Sequence, residues 1–396
     1  MSLAGRKIGL MNNDDWSMLI FRAGLVRQLL NRGAEVVLFV PPGKSVPKLE
    51  ALGARVITVP MYRFISPVKD LVLILRLFRA LRHEKLEILH TMTVKPNIYG
   101  AFAGWLAGIP RIVGLVSGAG TTFGGAGGFK DRIIGAITAG LYRRALTLHR
   151  RVWFQNADDA GEFARRGLLP REKAVVIRSS GVNTTDYAPG AVSAEVTSAL
   201  RREFAIAPDA KCAVLIARLI WSKGIGEFSE AARLLQKDFP DWHFVMLVPW
   251  EHGNPEAAGQ DFLGQEHPRN LTIVTDLRTD ARTFAAIADI GVLPSYYREG
   301  VPRSLLEFMA FGAPIVTTDW IGCRETVVEG RNGFLVPVRD APSLTGRLRE
   351  MMKDEALRRR MGAESRRMAI EEFGEGVVAR RIVAELYELA DETQPG

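Results

Sequence analysis

Two glutamates separated by seven residues stand out in the C-terminal half of the chain. Glu299 precedes a predicted helix that follows the strand Ile290–Leu293, and Glu307 lies within that helix. Pro302 suits a first helical position, where its missing N–H costs nothing, and Gly300 lets the backbone approach a ligand closely. The N–H groups of a first helical turn and the helix dipole favour an anion. We therefore predict a phosphate site here, with Glu299 and Glu307 accepting hydrogen bonds from hydroxyls on either side.

A pair of cations gives a second signal upstream. Arg218 and Lys223 lie in the segment Ala217–Gly224, where the first strand of the second half ends and its helix begins. Arg binds a diphosphate bidentately and Lys acts as a point charge, and both stabilise negative charge on a departing diphosphate. Each signal has a plain structural alternative. Arg218 and Lys223 are then exposed surface cations, Glu299 caps the helix and Glu307 is solvated.

The elements that position these residues follow a repeated strand–helix pattern. A chain of 396 residues is too long for one ordinary core, and short β-type runs that alternate with helical stretches predict parallel α/β sheets. The predicted strands are Lys7–Met11, Glu35–Val40, Arg55–Val59, Ile88–His90, Ile112–Leu115, Val152–Phe154, Ala174–Ile177, Cys212–Ala217, His243–Val248, Leu271–Val274, Ile290–Leu293, Ile315–Thr318 and Gly333–Val336. Amphipathic helices are predicted at Leu19–Asn31 and Val68–His83, among others, and the polar segment Ser179–Pro189 is the predicted linker. Two doubly wound domains, with ligands at the carboxyl ends of their strands, predict an interdomain cleft.

Charge is distributed unevenly between the two halves. Residues 1–186 contain 27 Lys and Arg against 13 Asp and Glu, whereas residues 187–396 contain 25 against 31. A positive field in one half attracts phosphate groups of a ligand or of an anionic lipid. The first residues predict a strand and not a signal peptide, and no apolar run is long enough to span a bilayer. Cys212 and Cys323 lack metal-binding spacing, so we expect a reducing cytosol.

A basic amphipathic helix is predicted at Phe129–Arg151. Its apolar residues recur every four positions, which suits either packing on a sheet or contact with an anionic membrane. Its basic residues are Lys130, Arg132, Arg143, Arg144, Arg150 and Arg151. The glycine-rich run at 118–128 lacks the spacing of a dinucleotide fingerprint, and we interpret it as a mobile acceptor-side loop.

Taken together, the motifs resemble family 4 of the retaining glycosyltransferases, which have the two-domain GT-B fold. The resemblance covers nearly the whole chain and is most similar to bacterial enzymes that build capsule, O-antigen or polyprenyl-diphosphate-linked glycans. It rests on the glutamate pair and the two cations, and on the segments Phe154–Asp159, Ser180–Asn183, Asp319–Thr326, Gly330–Pro337 and His90–Gly100. It implies an acceptor-binding Rossmann-like domain at 1–184, a donor-binding one at 185–370, and a C-terminal helix at 371–396 that packs back on the first domain.

The resemblance also implies roles for individual residues. Arg218, Lys223 and Glu299 are the expected catalytic residues, with the two cations on the diphosphate and Glu299 on the hydroxyls of the donor sugar. Glu307 is expected at the ribose. The other expected donor-binding residues are Asp15, Trp16 and Ser17 in a loop at 13–17, Thr275 and Arg278 near the base, and Gly300, Val301 and Pro302 at the helix start.

On the acceptor side the resemblance implies His90, Lys95, Asn97 and Ser117. From its position at the end of a strand, a buried, hydrogen-bonded histidine is the default for His90, and a role near the acceptor phosphate is the alternative. Lys95 lies at a predicted helix start, where either a phosphate contact or a plain structural role is open. Many relatives have histidines where this chain has Met92 and Ser117. We therefore assign no histidine-assisted chemistry and no general base, because the leaving phosphate can itself take the acceptor proton.

The sequence thus predicts a metal-independent, retaining glycosyltransferase that uses a UDP-sugar and needs no cofactor. The expected acceptor is a polyprenyl-diphosphate-linked saccharide, reached from the cytoplasmic face of an anionic membrane, where the protein is peripheral. A soluble acceptor, or a non-catalytic nucleotide-sugar binder, is the alternative. Nucleic acid is not an expected partner, because few aromatic residues are interleaved with the basic ones.

Overall fold

The computed structural model describes residues 3–61, 67–118, 129–251, 254 and 256–387, without the side chains of 67, 68 and 129–137. The glycine-rich run at 119–128 and the first side chains of the predicted basic helix therefore lie outside the described residues. The chain forms two compact units, Met1–Gly181 with Glu375–Gly396, and Val182–Gly374. The predicted boundaries are 184/185 and 370/371, whereas in the structure residues 182–184 and 371–374 belong to the second unit.

The first unit contains a seven-stranded parallel sheet with the order β3-β2-β1-β4-β5-β6-β7. Its strands are β1 Lys7–Met11, β2 Glu35–Val40, β3 Arg55–Thr58, β4 Ile88–Met92, β5 Arg111–Val116, β6 Arg151–Phe154 and β7 Ala174–Val176. Its helices are α1 Asp15–Leu30, α2 Val46–Glu50, α3 Pro67–Glu84, α4 Ala101–Leu106, α5 Phe129–Leu148 and α6 Ala157–Arg165. Every residue of β4 is buried, as expected where helices cover both faces of a parallel sheet.

The second unit contains a six-stranded parallel sheet with the order β10-β9-β8-β11-β12-β13. Its strands are β8 Lys211–Ile216, β9 Trp242–Leu247, β10 Leu271–Val274, β11 Ile290–Leu293, β12 Ile315–Thr318 and β13 Gly333–Val336. Its helices are α7 Ala194–Glu203, α8 Ile225–Leu235, α9 Gly259–Leu263, α10 Ala281–Ala286, α11 Arg303–Phe311, α12 Ala341–Lys353 and α13 Glu355–Glu371. Cys212 and Cys323 are both buried free thiols of this unit.

The C-terminal segment returns to the sheet of the first unit. The helix α14, Glu375–Arg381, packs on α1 and continues into a π-helical turn, Ile382–Leu386. Tyr387 is fully buried behind it, with its hydroxyl 3.2 Å from Nδ1 of His90. An apolar cluster on this face joins α1, α2 and α14 to the strands, and a second cluster lies under α3, α4 and α5 on the other face.

The prediction of two Rossmann-like doubly wound sheets is confirmed. The strands β10, β11, β12 and β13 have the predicted bounds. The helix α1 begins at Asp15, four residues before the predicted Leu19, because the Asp14 carboxylate caps it by accepting from the Ser17 N–H at 2.7 Å. The predicted basic helix ends at Leu148 and not at Arg151, because Arg151 already begins the strand β6. None of the described helices has the length and apolar character of a membrane span.

Candidate functional site

The loops after β8 and β11 meet where the strand order of the second sheet reverses. These parallel strands are neighbours, so both carboxyl ends lie at one edge. The loops are hydrogen-bonded to each other: the N–H groups of Tyr296 and Tyr297 donate to the Ser222 carbonyl at 2.8 and 3.0 Å. Ligands of open α/β sheets bind at such reversals. This edge of the second unit is therefore the candidate site.

Gly224 allows the two loops to approach each other closely. It has a φ of +76° and is the N-cap of the helix α8. A Cβ atom there would lie 2.2 Å from the carbonyl oxygen of Pro294, which directly follows β11. Only glycine fits this conformation and this contact without strain. Gly224 thus fixes the position of the preceding residue, Lys223, against the β11 loop.

Lys223 and Glu299 form an ion pair across the two loops. The Lys223 side chain is 7% exposed and that of Glu299 is 24% exposed, so the carboxylate is the more accessible partner. Cys323 is buried near the pair, and its burial, together with the charge of Glu299, raises the pKa of the thiol to about 11. The thiol is therefore neutral near pH 7 and adds no charge to the site.

Arg218 lies beside the same pair. Its guanidinium carbon is 4.9 Å from the centroid of the Tyr297 ring, and Nζ of Lys223 is 5.2 Å from that centroid. Arg218 also forms an ion pair with Glu251 at 2.9 Å. Burial acts to lower the pKa of Arg218, but the Tyr297 hydrogen bond and the charges of Glu251 and Glu299 raise it above its usual value. The side chains of Arg218 and Lys223 thus share one aromatic ring.

The predicted anion site at the start of α11 differs by one position. Pro302 is the N-cap, with φ −63° and ψ 124°, and the helix begins at Arg303. The prediction that Pro302 occupies the first helical position is therefore wrong. Gly300 and Val301 precede it and are buried. Gly322 closes over them, since a Cβ atom at that residue would lie 2.1 Å from the Gly300 carbonyl oxygen.

Glu307 lies within α11, as predicted, but it is neither solvated nor paired with the upstream lysine. It is 8% exposed and forms an ion pair with Nε of Arg303 at 2.8 Å. Tyr187 lies close by, and burial, followed by the charge of Glu307, raises the pKa of its phenol. The alternative of a solvated Glu307 is therefore wrong. Its predicted contact with a ribose stays a prediction.

Thr275 and Arg278 follow β10, two strands away from β8 in the sheet. Arg278 forms ion pairs with Glu203 at 2.5 Å and with Asp280 at 2.7 Å. Two carboxylates therefore already neutralise its charge. The structure does not bring these residues into the group formed by Arg218, Lys223 and Glu299, and their contact with a base stays a prediction.

In the first unit, most of the predicted donor-facing loop, residues 13–17, belongs to the start of the helix α1. Asp15, Trp16 and Ser17 form the first turn of α1. The Asp15 carboxylate accepts from the Ser45 N–H at 2.7 Å, and Trp16 is 53% exposed. Asn13 precedes this turn, and its Oδ1 accepts from the Thr93 hydroxyl at 2.9 Å. The role of this segment toward a donor stays a prediction.

Three of the four predicted acceptor residues are buried. His90 and Asn97 have no exposed surface, and Lys95 is 7% exposed. The Asn97 amide donates to the Leu115 carbonyl at 2.8 Å and to the Tyr142 hydroxyl at 3.0 Å. His90 and Asn97 thus lie in the interior of the fold, and their contact with an acceptor stays a prediction.

Lys95 is paired inside the first unit, and Ser117 alone is exposed. Nζ of Lys95 lies 2.7 Å from Oδ1 of Asp70, and the Tyr99 hydroxyl donates to Oδ2 of the same carboxylate at 2.9 Å. Lys95 thus forms a buried ion pair in this structure, and its phosphate contact stays a prediction. Ser117 lies at the end of β5 and lines a small cavity together with Thr93.

Comparison with known proteins shows the family of this chain. The family model for glycosyl transferases group 1 matches residues 196–368, and the model for a glycosyl transferase 4-like domain matches residues 21–179. A Campylobacter jejuni protein is 30% identical over 384 residues, which cover 96% of this chain and 98% of that protein. Its name is N,N'-diacetylbacillosaminyl-diphospho-undecaprenol alpha-1,3-N-acetylgalactosaminyltransferase. The chain belongs to this glycosyltransferase family.

One further relative and one solved structure are also similar to this glycosyltransferase. The Escherichia coli protein named UDP-Gal:alpha-D-GlcNAc-diphosphoundecaprenol alpha-1,3-galactosyltransferase is 26% identical over 315 residues, 76% of each chain. The crystal structure of Anabaena HepE in complex with UDP has a TM-score of 0.76 at 17% identity and covers 97% of this chain and 100% of that chain. This likeness shows that the glycosyltransferase has the same two-domain fold, and the GT-B prediction is confirmed.

Two residues of the glycosyltransferase site were missed from the sequence. Glu251 pairs with Arg218, and the Tyr297 ring contacts both cations. Tyr297 lies within the motif around Glu299, but its type alone assigns it no role. Glu251 follows the strand β9, and an acidic residue at the carboxyl end of a strand next to β8 is a usable signal. In this arrangement the carboxylates hold the cations in place, and the cations can hold a diphosphate.

Proposed function

We propose that this glycosyltransferase moves a hexose or N-acetylhexosamine from a UDP-sugar to a polyprenyl-diphosphate-linked saccharide, with retention of configuration. The observation that carries the proposal is the group formed by Arg218, Lys223 and Glu299 at the edge where β8 meets β11. Two cations held side by side on one ring provide a diphosphate site, and the accessible carboxylate provides an acceptor for sugar hydroxyls.

The ion pair between Lys223 and Glu299 gives each residue a role in binding the donor. Without a ligand, each neutralises the other. A bound diphosphate takes over the lysine as its counter-ion, and Glu299 is then free to accept hydrogen bonds from the donor sugar. Arg218, whose guanidinium also lies at the Tyr297 ring, contributes a second positive charge. Negative charge develops on the leaving diphosphate in the transition state, and fixed positive charge beside it stabilises that charge.

The proposed retention rests on the resemblance to retaining glycosyltransferases, in which the leaving phosphate can itself accept the proton. The two cations lower the energy of the departing UDP, and its phosphate oxygen takes the proton of the attacking hydroxyl on the same face of the sugar. Among the predicted residues His90 is the only histidine, and it is buried with its pKa well below the usual value, through burial and the charges of Arg22 and His149. It therefore fits a structural role better than that of a base.

The acceptor is proposed from the relatives. Both names given above contain diphosphoundecaprenol, and the first relative is matched along nearly its whole length. In the first unit, Asn13 and Thr93 meet at the carboxyl ends of β1 and β4, where that sheet reverses its strand order. Thr93 has a φ of +71°, which is uncommon for a β-branched residue and marks a functional turn. We place the acceptor's polar head beside this turn and Ser117, and the protein on the cytoplasmic face of an anionic membrane.

A product assay tests the proposal. The protein is incubated with a panel of UDP-sugars and polyprenyl-diphosphate saccharides, and products are identified by mass spectrometry and by NMR of the new anomeric centre. Transfer with the donor's anomeric configuration supports the proposal. Inversion at the anomeric carbon contradicts the proposed retention. Transfer only to soluble sugar phosphates contradicts the proposed lipid-linked acceptor. UDP-sugar binding without any transfer would instead identify a non-catalytic binder.

A further inference from the structure

The solvent-facing side of α3 carries aliphatic residues where polar ones are expected. Leu71, Val72 and Leu75 are 60%, 41% and 49% exposed, whereas Leu73 and Leu77 on the opposite side of the same helix are buried in the core. The helix therefore has two apolar faces. Burial in its own unit accounts for one of them, and the other is a contiguous exposed surface, since positions one, three and four apart adjoin on a helix.

The same exposed side is basic and lacks carboxylates. Arg76, Arg79 and Arg82 are exposed on it. The two acidic residues of α3 point inward instead: Asp70 pairs with Lys95, and Glu84 pairs with Lys7 at 2.9 Å. Within the described part of the chain, Arg76 and Arg79 form no ion pair. The surface thus combines aliphatic side chains with uncompensated positive charge.

We define the docking surface as Leu71, Val72, Leu75, Arg76 and Arg79, which share the exposed side of α3.

We propose that this docking surface binds the head-group region of an anionic lipid bilayer. The aliphatic residues enter the interface, and the arginines keep their guanidinium groups at the phosphates while their stems cover apolar surface. The missing carboxylates make the surface complementary to negative charge. An acidic protein partner would also complement this charge, and the vesicle experiment below separates such a partner from lipid.

The docking surface lies on α3 and not on α5, the predicted basic helix. That helix, α5, shows Leu141 as an exposed large apolar residue among its described side chains. The Arg143 guanidinium donates to the Arg166 carbonyl at 3.2 Å, and Arg151 donates to the Glu172 carbonyl. Two of the four arginines predicted to meet lipid are thus used inside the unit. By contrast, α3 presents three exposed aliphatic residues beside unpaired arginines.

The docking surface is tied directly to the proposed acceptor turn. Asp70 immediately precedes Leu71, and its carboxylate is held by Lys95 and Tyr99, which follow Thr93 and the end of β4. This buried pair fixes the first turns of α3 next to the segment where we place the acceptor head. A saccharide whose diphosphate lies at the membrane surface can then reach the turn while its polyprenyl chain stays in the bilayer. This last step rests on the proposed function, whereas lipid binding by the surface does not.

The test compares the full-length protein with two variants and a matched control in vesicle co-sedimentation. One variant is Leu71→Ser, Val72→Ser and Leu75→Ser, and the second is Arg76→Gln and Arg79→Gln. The control replaces three exposed aliphatic residues of the second unit, Val196→Ser, Leu234→Ser and Ile370→Ser. Vesicles contain either phosphatidylglycerol with phosphatidylethanolamine, or phosphatidylcholine alone. Unfolding temperatures and UDP binding verify that each variant is folded.

The serine variant should bind anionic vesicles at least about tenfold more weakly, because it loses three aliphatic contacts with the interface. The glutamine variant should lose about tenfold at low salt, with a weaker dependence on salt and little change on phosphatidylcholine. The control should bind as the wild type does. Activity toward a short, water-soluble acceptor should be unchanged in all three.

Three results would overturn the docking surface. The folded serine variant could bind vesicles as tightly as the wild type, the control could lose binding equally, or the serine substitutions could abolish a dimer seen by ultracentrifugation while leaving vesicle binding intact. If the vesicle results hold but no polyprenyl-linked saccharide is glycosylated, the proposed acceptor fails and the docking surface stands.

Discussion

Each unit contains a lysine–carboxylate pair near the carboxyl edge of its sheet, and the two pairs differ in access. In the first unit, Lys95 and Asp70 have side chains that are 8% and 6% exposed, and Tyr99 binds the second carboxylate oxygen. In the second unit, Lys223 is 7% exposed, but its partner Glu299 is 24% exposed. The first pair is closed on all sides by the protein. The second pair is open on the carboxylate side.

This difference separates a structural pair from one that can exchange its partners. Both pairs are made of the same chemical groups, and both lysines are buried. A closed pair can only be lost together with the packing around it, whereas an open pair can be replaced by a phosphate and a sugar hydroxyl. Burial of the carboxylate, and not the presence of the lysine, therefore distinguishes the candidate donor site from a structural ion pair.

The largest effect is expected from breaking the closed pair. Lys95→Met leaves Asp70 buried without its cation, which typically costs about 3–5 kcal/mol in the free energy of unfolding. The double variant Lys95→Met with Asp70→Asn should be much less destabilised, since the amide removes the charge and still accepts from Tyr99. Urea unfolding measures both, and Lys48→Met, at an exposed lysine of α2, is the control. Equal stability of Lys95→Met and the control would show that the pair is not structural.

The open pair should matter for turnover more than for stability. Lys223→Ala and Glu299→Gln should each lower kcat/KM by roughly 10- to 150-fold, because a hydrogen bond to a charged group of the bound donor contributes about 1.5–3 kcal/mol. UDP should also raise the unfolding temperature of the wild type more than that of Lys223→Ala. Lys237→Ala, at an exposed lysine of the same unit, is the matched control. Near-wild-type kinetics in both variants would remove these residues from the proposed site.

The first unit should also be the acid-sensitive one. Burial lowers the pKa of His149 to about 4, a larger influence than its hydrogen bond to the Ala145 carbonyl or the charge of Lys173. The folded state keeps this ring neutral, while the unfolded chain takes up a proton below about pH 6.5. The unfolded state then binds more protons, so the free energy of unfolding falls as the pH decreases from 6.5 toward 4, by roughly 2 kcal/mol at pH 5.

Hydrogen exchange at pH 7 and pH 5 measures this loss. Peptides that cover β4 and β5 should lose protection at pH 5 in the wild type and much less so in His149→Gln. His83→Gln is the control, because the His83 side chain is 80% exposed. The same acid sensitivity in His149→Gln and the wild type would assign the effect to other groups.

How far the sequence predicts the molecule depends on the distance over which a feature is specified. The strand Ile290–Leu293 and the helix after it follow from local apolar runs and turn residues, and the structure has them within a residue. The partner of Lys95 lies 25 residues earlier, on a helix whose orientation the sequence leaves open. Lys95 therefore has the same local pattern as a phosphate-binding lysine, and only its contact with Asp70 reveals a structural role.

The candidate donor site was predictable in composition but not in pairing. The family resemblance implies one site for Arg218, Lys223 and Glu299, and each of them follows a predicted strand, at the edge where ligands of such sheets bind. That Lys223 pairs with Glu299, 76 residues further on, depends on Gly224 bringing the loops together. For Glu307, the position on a helix was predictable from the sequence. Its ion pair with Arg303, four residues earlier on the same helix, was not predicted.

The smallest effect is expected from removing divalent metal. In the described parts of the chain, no three His, Cys, Asp or Glu side chains are grouped so that they could hold a metal ion. The positive charge that a diphosphate leaving group requires is supplied instead by Arg218 and Lys223, both within about 5 Å of the Tyr297 ring centre. We therefore expect initial rates to stay the same in excess EDTA. Lys223→Ala sharpens the test, because magnesium should not restore its activity if the lysine does more than replace a metal. A wild type that EDTA inactivates and magnesium or manganese restores would show that the two cations do not suffice, and the open pair would then need a metal beside it.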